Sequence, residues 1–382
     1  MESPFKIAVY DKHLTRRGWI GDPIAVSFTP AHNRPGQVEI SIPTDHIRLP
    51  DVMAKGARIV TTYDGAETIS GPVRGLSGKG PAQQGTVTVI VEDDLRLLWR
   101  VLGWAAPTRP VTQQGDDETA YWRATGVAET VLKNVVRANA VTRLGLPVRI
   151  ATDLGRGVVI PGGVSLRFHP IADRVLTQVE QAGLGVSVVQ DGSARQGTGL
   201  VLDVYEPKVY PRALTEAGGT LVDWSWNQSP PEATRVVAGG AGEGTARAFQ
   251  TAVDAAREAE FGDLIEVFRD ARDAETTAIL TARAQETLTD GAPTSGLSVT
   301  LAETGVFRYG GAHGVRVGDT VTARIGAGTE ITDVLRSATI SWTADNGLTV
   351  VPTVGEITDD PDQEVADAIQ ALARNQRGLA PR

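Results

Sequence analysis

Short runs of alternating, β-branched residues dominate the first hundred positions of the chain, and Gly, Pro, Asn or Asp separates one run from the next. These runs predict β-strands at 6–10, 37–42, 58–63 and 86–91. Strands this short and this closely spaced are typical of an antiparallel barrel or sandwich. The pattern therefore predicts that the chain opens with a β domain.

Between about 120 and 190 the apolar spacing changes to that of helices. A first helix is predicted after Thr125, with Glu129 in its first turn, where the helix dipole favours negative charge. Its buried face consists of Val127, Val131, Val135 and Val136. A second helix is predicted over 172–182, ending at Gly183. Because strands are predicted at 185–189 and 200–205, this part of the chain is expected to form an α+β insertion.

The strand pattern returns after residue 220. Runs at 220–226 and 235–238 precede a Gly-rich loop at 239–245 and a predicted helix over 274–288. The segment Asp345-Asn346-Gly347 predicts a hairpin, because Asn and Gly accept the positive φ of a type I′ turn. The last β unit is predicted from strands at 298–303, 320–325, 337–342 and 348–351.

These changes of pattern divide the chain into six segments. The predicted fold class is mainly β with α+β insertions: two similar antiparallel, tube-like β-barrel domains and two inserted outer domains. The segments are a first barrel (1–104), an α+β insertion (105–199), return strands of the first barrel (200–238), an acidic, partly helical insertion (239–297), a second barrel (298–357) and a C-terminal tail (358–382) with a helix at 362–377.

Composition narrows the classes of function. The 382 residues contain no Cys, which excludes disulfides, thiolate zinc sites, iron–sulfur clusters and a cysteine nucleophile. The formal net charge of −9 argues against binding DNA through a basic surface. No run approaches the roughly 18 apolar residues of a membrane span. Residues 1–13, with an acid at Glu2, are not expected to form a secretory signal.

The Gly-rich loop at 239–245 is the first candidate for chemistry. A phosphate-binding loop of the P-loop type needs a lysine after its last glycine, and here Gly244 is followed by Thr245. The dinucleotide pattern fails as well, since the position three residues beyond Gly242 is also Thr245. The loop is therefore interpreted as structural, and no cofactor site is predicted.

Carboxylates offer a second set of candidates. Glu92-Asp93-Asp94, or Asp223 with another acid, could form a glycosidase pair if two carboxyl groups faced each other across a cleft. A solvated turn or the start of a helix is the favoured interpretation of 92–94. The acidic tract 359–364 lacks the central glycine of a calcium-binding loop and is interpreted as a linker that caps the last helix.

Histidines and tryptophans complete the candidates. The five histidines do not form a metalloprotease motif, and no nucleophile elbow is present, so no local signature of hydrolysis exists. Six tryptophans could form a platform on which sugars stack, although core or subunit interface is the default interpretation for the pair two residues apart on one strand. The histidines are His13, His32, His46, His169 and His313; the six tryptophans, out of seven in the chain, are Trp99, Trp104, Trp122, Trp224, Trp226 and Trp342.

Five blocks of sequence, in this order, carry a family resemblance. They are EDDLRLLWR (92–100), the helix at 126–139, VVAGGAGEGTARAF (236–249), EVFRDARD (266–273) and VRVGDTVT (315–322). In their order and spacing they resemble the tail-tip hub or minor tail proteins of actinobacterial siphophages, which are related to the central baseplate hub of contractile tails. The resemblance covers about residues 5–355.

The resemblance implies a structural virion protein without catalytic, cofactor-binding or metal-binding residues. Three copies would place six barrels in a pseudo-sixfold ring at the distal tail tip, with DNA passing through it. The implied partners are further copies of the chain in a homotrimer, the distal tail protein, the tape measure protein and the tip or receptor-binding proteins. Assembly would take place in the host cytoplasm.

Two other classes of function remain open at this stage. A tail-associated hydrolase of peptidoglycan or glycan would require a cleft with facing acids whose pKa values are pushed apart. A carbohydrate-binding β protein would require Trp224 and Trp226 to line an exposed groove.

Overall fold

The fold is described from a computed structural model. The described residues are 3–65, 67–81, 85–114, 121–191, 199–272, 274, 276–301, 309–310, 314–326 and 329–355. The acidic tract 359–364, the predicted tail helix at 362–377 and His313 lie outside them.

Strands predominate among the described elements, which confirms the mainly β class. The strands are β1 (Phe5–Tyr10), β2 (Arg16–Ile20), β3 (Ala25–Thr29), β4 (Gln37–Pro43), β5 (Arg58–Tyr63), β6 (Glu67–Lys79), β7 (Thr86–Glu92), β8 (Leu102–Gly103), β9 (Trp122–Ala124), β10 (Val148–Ile150), β11 (Val164–Leu166), β12 (His169–Pro170), β13 (Gly185–Gln190), β14 (Leu200–Tyr205), β15 (Leu214–Thr215), β16 (Leu221–Ser229), β17 (Arg235–Gly239), β18 (Phe249–Val253), β19 (Glu266–Asp270), β20 (Thr294–Leu301), β21 (Thr320–Ile325), β22 (Thr329–Thr343) and β23 (Gly347–Gly355).

The described helices are fewer, and the longest α-helices among them are Ala128–Val136 and Thr277–Asp290. Two π-helical segments, Arg137–Arg143 and Ala172–Leu176, extend the helices next to them. The α-helices are α1 (Leu49–Met53), α2 (Leu97–Arg100), α3 (Ala128–Val136), α4 (Thr177–Gln181), α5 (Ala255–Phe261) and α6 (Thr277–Asp290).

Thirteen strands form one large sheet. Its order is β16-β20-β23-β22-β3-β4-β7-β6-β5-β1-β2, and β21 and β15 continue from the first half of β22. Among the described strands this path is open at both ends, so the sheet does not consist of two closed barrels. The physical reason is that β3 pairs with β22 and thereby joins the early and late strands edge to edge. One apolar core receives side chains from both parts, including Phe28, Ile40, Ile340 and Val354.

The large sheet contains the same five-stranded arrangement twice. In the early part the order is β3-β4-β7-β6-β5, and in the late part it is β16-β20-β23-β22-β21. In each part, an antiparallel pair of strands (β3–β4 or β16–β20) comes before a meander of three strands (β5–β7 or β21–β23). The second strand of the pair lies beside the last strand of the meander. We call β3–β7 the first repeat and β16 with β20–β23 the second repeat.

The correspondence extends to individual residues. Each residue of β5 and β6 matches the residue 262 positions later, so that Arg58 corresponds to Thr320 and Lys79 to Ser341. Both long strands change partner halfway and bulge at the same point, with Arg74 in β6 and Arg336 in β22 as the extra residue.

Backbone details support this correspondence. Gly56 and Gly318, 262 positions apart, both adopt positive φ, 80° and 95°. The Val73 amide donates to the Ala57 carbonyl at 2.9 Å, and the Leu335 amide donates to the Asp319 carbonyl at 2.8 Å. The first repeat connects β3 to β4 by a seven-residue loop, 30–36, where the second repeat connects β16 to β20 by a whole folded insert.

Two inserts have cores of their own. In the α+β insert, residues 94–205, α3 and the helices around 172–181 pack against the sheet β10-β14-β13. The predicted helices are therefore present, and Gly183 adopts the expected positive φ of 73°. In the small insert, residues 233–291, α6 covers one face of the sheet β18-β17-β19.

Segment 200–238 does not return to the first repeat as predicted. Its first strand, β14, pairs with β10 and β13 of the α+β insert, β16 opens the second repeat, and β17 is the central strand of the small insert. The strands themselves lie where the alternation predicts them, but their partners are distant in sequence, and alternation carries no information on pairing.

The hairpin between β22 and β23 also differs from its prediction in detail. Thr343 lies opposite Gly347, so the connection has three residues rather than two. None of these three residues adopts positive φ; the positive φ of 73° belongs to Gly347, the first residue of β23.

Candidate functional site

A cleft of about 850 Å³ opens where the first repeat, the second repeat and the α+β insert meet. It lies against the first residues of β6, the residues that follow β7, and β13. Its polar lining includes Glu67, Asp93, Tyr205, Arg316 and Asp319.

Glu67 links the two repeats across this cleft. It stands at the start of β6, and the Tyr309 hydroxyl donates to its two carboxylate oxygens at 3.0 Å each. The amide of Val317 donates to the same group at 3.4 Å. Burial raises the pKa of Glu67 to about 7, although these hydrogen bonds and Arg316 act in the opposite direction.

Asp93 and Asp94 follow β7 and hold different neighbours. Asp93 accepts from the amides of Leu95 at 3.0 Å and Gly36 at 3.1 Å, and so begins the short helical turn at Asp94–Arg96. Burial raises the pKa of Asp93 to about 7, with a further rise from neighbouring Asp94. The prediction of a helix start at 92–94 is confirmed, whereas Asp94 is buried and Asp93 half-buried rather than solvated.

Asp94 connects the first repeat to the α+β insert. It accepts from Arg58 Nη2 at 2.5 Å and from the Ser70 hydroxyl at 2.6 Å. Ser70 in turn accepts from the amide of Gln190, and Arg58 Nε donates to the Gln190 side-chain oxygen at 2.7 Å. Burial raises the pKa of Asp94, against the effect of Arg58. This network fixes the C-terminal end of β13.

Asn33 fixes the other end of β13. Its side chain donates to the Leu184 carbonyl and accepts from the Val186 amide, both at 2.9 Å. Asn33 also donates to His32 Nε2 at 3.1 Å, so Nδ1 of the neutral ring carries the proton toward the Tyr205 hydroxyl, 3.0 Å away. Burial, together with the charge of Arg336, lowers the pKa of His32 to about 4.

The chemistry of this arrangement is that of a rigid junction. The carboxylates of Glu67, Asp93, Asp94 and Asp319 are engaged by backbone amides, a tyrosine or an arginine. The pKa values of Glu67 and Asp93 are raised together, to about 7 each. A hydrolase that divides the roles of acid and base needs two carboxyl groups whose pKa values differ. The geometry thus favours a structural role for the cleft.

Glu67 makes the stability of the junction depend on pH. A carboxyl group whose pKa is higher in the folded than in the unfolded state binds its proton more tightly when folded, so its contribution weakens as pH rises from about 4.5 to about 7. Replacing Glu67 by Gln, which has a similar shape and keeps one acceptor oxygen but cannot titrate, will therefore raise the free energy of unfolding at pH 8 relative to pH 5 by about 2–3 kcal/mol compared with the wild type. Urea titrations at the two pH values measure this difference. The exposed Glu330→Gln is the matched control, and an unchanged pH dependence in Glu67→Gln contradicts the assignment.

The other candidates from sequence lie apart from this cleft. The loop 239–245 joins β17 to β18, and Arg247 donates to the carbonyls of Gly239 and Gly240, so its glycines serve a tight turn in the small insert. Asp223 is exposed on β16 and accepts from the Trp224 amide at 2.9 Å. Neither brings a second acid into the cleft.

The remaining histidines are dispersed. His13 is in a turn with Asp11, His46 contacts Asp22 at 3.1 Å, and His169 contacts Arg174 at 2.9 Å. Within the described ranges no three His, Asp or Glu side chains form a group that could hold a metal ion.

The tryptophans do not form one platform. Trp99 and Trp122 pack on the core of the α+β insert, and Trp342 belongs to the main core. Trp104 contacts Phe168 edge to face, and Trp224 flanks the main core while its indole N–H donates to Glu216 at 2.6 Å. The side chain of Trp226 is outside the described part of the structure.

Sequence reasoning missed Glu67, Asn33 and Tyr309, the residues that connect the units. Each lies in a run without a recognisable motif, and its role arises from a contact with a residue between 151 and 242 positions away. None of the helices in the described part of the chain has the length and apolar character needed to cross a membrane.

This fold also occurs in solved structures of phage tail proteins. The 43 kDa tail protein of prophage MuSo2 from Shewanella oneidensis is similar over 91% of this chain and 98% of its own, with 14% identity and a TM-score of 0.59. A tail protein from Neisseria meningitidis MC58 is similar over 93% and 97%, with 11% identity and a TM-score of 0.57. The prophage tail protein gp18 from Listeria monocytogenes EGD-e is similar over 96% and 99%, with 12% identity and a TM-score of 0.51.

The fold is therefore one that this chain shares with phage tail proteins. Residues 6–356 match the model of the siphovirus ReqiPepy6 Gp37-like proteins, and the chain belongs to that family. No curated protein sequence matches the chain.

Proposed function

We propose that this chain is a structural hub of the distal siphovirus tail, a homotrimer that presents six β repeats around an open bore. The observation that carries the proposal is the duplication within the large sheet: the two repeats share strand order, the bulge position and the residue-by-residue match of β5–β6 with β21–β22. Three copies then supply six similar units, which is the number that a sixfold tail tube requires. In this proposal the tube-like barrel of the sequence prediction is completed between copies.

The ring connects two sets of partners. Its upper side contacts the distal tail protein and the tape measure protein, and the inserts face the tip and receptor-binding proteins. The small insert supports this role, because α6 covers only one face of its sheet. On the other face Phe249 and Phe268 are 51% and 56% exposed and flank Arg247, an arrangement typical of a protein contact.

The charge of the chain is compatible with DNA in transit. At a net charge of −9 it has no excess of basic groups with which to hold phosphates. The junction at the cleft supports a mechanical role, since Asn33 and Asp94 fix the α+β insert to the first repeat by directed hydrogen bonds.

Two measurements test this function. Cryo-electron microscopy of intact particles will locate three copies around the tail axis at the distal end, and light scattering over a range of concentrations will report whether the purified chain forms trimers. A single copy per particle, or a position away from the axis, would overturn the proposal. Loss of turbidity when the purified chain is mixed with host cell walls would favour a hydrolase instead.

A further inference from the structure

One contact inside the chain joins the two repeats head to tail. The edge strand of the first repeat, β3, pairs antiparallel with the far half of the long strand of the second repeat, β22. Phe28 lies opposite Ile340, and Ser27 lies opposite Ser341. Beyond the strand end, Ala31 bridges to Ser337 in the same register. The contact therefore uses one edge of each repeat, and these edges are not equivalent.

The counterparts of these two edges have no strand beside them among the described residues. The counterpart of β3 is β16, which pairs with β20 alone. The counterpart of the far half of β22 is the far half of β6, residues 75–79, which pairs with β7 alone. Apolar side chains are exposed at both places: Leu76 on β6 is 42% exposed and Val222 on β16 is 65% exposed. Unpaired strand edges of this kind are natural sites of association.

We propose that β16 of one copy pairs antiparallel with the far half of β6 of the next copy, repeating between chains the contact that β3 and β22 make within the chain. This inference rests on the proposed trimer and names the strands that close it. A head-to-tail contact closes into a ring when the same rotation is applied at each step. Three such contacts between copies, alternating with three within copies, give six similar junctions.

The internal contact also gives the register of the external one. Strand pairing through β4 and β20 matches Phe28 with Trp226, and therefore Ser27 with Ser225. In β6, Lys79 matches Ser341. Because Ser27 faces Ser341 within the chain, Ser225 faces Lys79 of the next copy. Both of these residues are exposed.

The geometry of this pair suits a disulfide test. Around the bridge between Ala31 and Ser337, the His32 amide donates to the Arg336 carbonyl at 2.7 Å and the Ala338 amide donates to the Pro30 carbonyl at 3.2 Å. These two bonds flank the bridge, so Ala31 and Ser337 form a pair without hydrogen bonds between them. Ser27 and Ser341 lie four residues further along their strands and therefore also form a non-hydrogen-bonded pair. In such pairs the Cα atoms are about 4.5 Å apart, within the range of a disulfide.

The natural absence of cysteine makes the experiment direct. The double variant Ser225→Cys, Lys79→Cys is oxidised in assembled particles and as the purified chain, and is then run on a denaturing, non-reducing gel. We expect covalent dimers and trimers that disappear on reduction. The matched control Ser27→Cys, Ser341→Cys forms the same bond within one chain and stays at monomer mass. A second control, Ser225→Cys with Leu76→Cys, is out of register by three residues, about 10 Å, and is expected not to link.

The outcomes separate this contact from the proposed function. Three copies on the tail axis without a covalent link, while the internal control does link, overturn the strand pairing and leave the hub intact. Linkage in the out-of-register pair at the same rate overturns the register and with it the inferred contact. A copy number other than three in the particle overturns the hub itself. The internal control also reports that the chain with two new cysteines folds.

Discussion

Replacing Gly71 by alanine will destabilise the protein by about 3 kcal/mol or more, one of the two largest effects expected of a single substitution. Gly71 lies in β6 where that strand passes the end of β7. A Cβ atom added there would lie 1.7 Å from the Glu92 carbonyl oxygen and 2.7 Å from its carbon. These are backbone atoms and cannot rotate away. The residues that follow, Asp93 and Asp94, hold the junction of the repeat with the α+β insert, so a local shift would also break their hydrogen bonds.

The measurement is the denaturation midpoint of the full chain in urea or on heating. Gly78→Ala is the matched control, because it makes the same change in the same strand and its Cβ would make only ordinary contacts, with Val87 Cγ2 at 3.8 Å and the Thr86 carbonyl oxygen at 4.0 Å. If the two variants unfold at the same point, the close approach at Gly71 is not a constraint on the fold.

The second large effect is expected at Lys133, in the helix α3. Its ammonium group is fully buried and donates to Glu129 at 2.6 Å and to the Thr152 carbonyl at 2.7 Å. Arg156 completes the cluster with two side-chain bonds to the same carboxylate, at 2.9 and 3.0 Å. The hydrogen bonds from Arg156, with those from Lys133, hold the pKa of Glu129 well below its usual value despite burial. Replacing Lys133 by Met removes one of the two cations that neutralise the buried carboxylate of Glu129. We expect the free energy of unfolding to fall by about 3–5 kcal/mol.

Two further variants identify the cause of that loss. Adding Glu129→Gln to Lys133→Met removes the buried charge, so the double variant will recover part of the stability. Arg324→Ala, which breaks the exposed pair with Glu330, will change stability by less than about 1 kcal/mol. A double variant that is less stable than Lys133→Met alone contradicts the charge argument.

Helices, turns and strands of this protein can be predicted from its sequence, because hydrophobic alternation and helix caps are local properties of the chain. The helix at α3, the turn at Gly183 and strand β21 lie where spacing predicts them. Glu129, in contrast, was predicted only as a charge near a helix N-terminus. Its actual partners, Lys133 and Arg156, include one that is 27 residues away, and burial of the group is a tertiary effect that no periodicity reports.

Pairing between distant strands is the main part of the fold that sequence patterning missed. Strand β14 was predicted to return to a first barrel and pairs with β13 and β10 instead, because the alternation that buries one face of a strand does not select a neighbour. The duplication leaves a faint trace: Val-Arg-Gly at 73–75 corresponds to Leu-Arg-Ser at 335–337, and Gly56 to Gly318. It is the bulge and the strand register shared by the two repeats that identify this weak sequence similarity as a duplication.

The candidate site was the least accessible to sequence reasoning. Motifs indicate sites made of neighbouring residues, whereas the junction is made of single residues, Glu67, Asn33 and Asp94, from separate strands and loops. Asp94 belongs to the sequence block 92–100, but only the structure brings it to Arg58 and Ser70.

The short loop 30–36 and the small insert occupy the same position in their respective repeats, and this determines where the polypeptide tolerates added length. In the first repeat that position is filled by His32 and Asn33, which bind Tyr205 and β13, so a fused peptide there would displace them. In the second repeat the chain already leaves and re-enters the sheet through a self-contained unit. A tag or reporter domain for labelling tails is therefore best grafted onto the small insert, for instance at the exposed turn after α5 at Gly262.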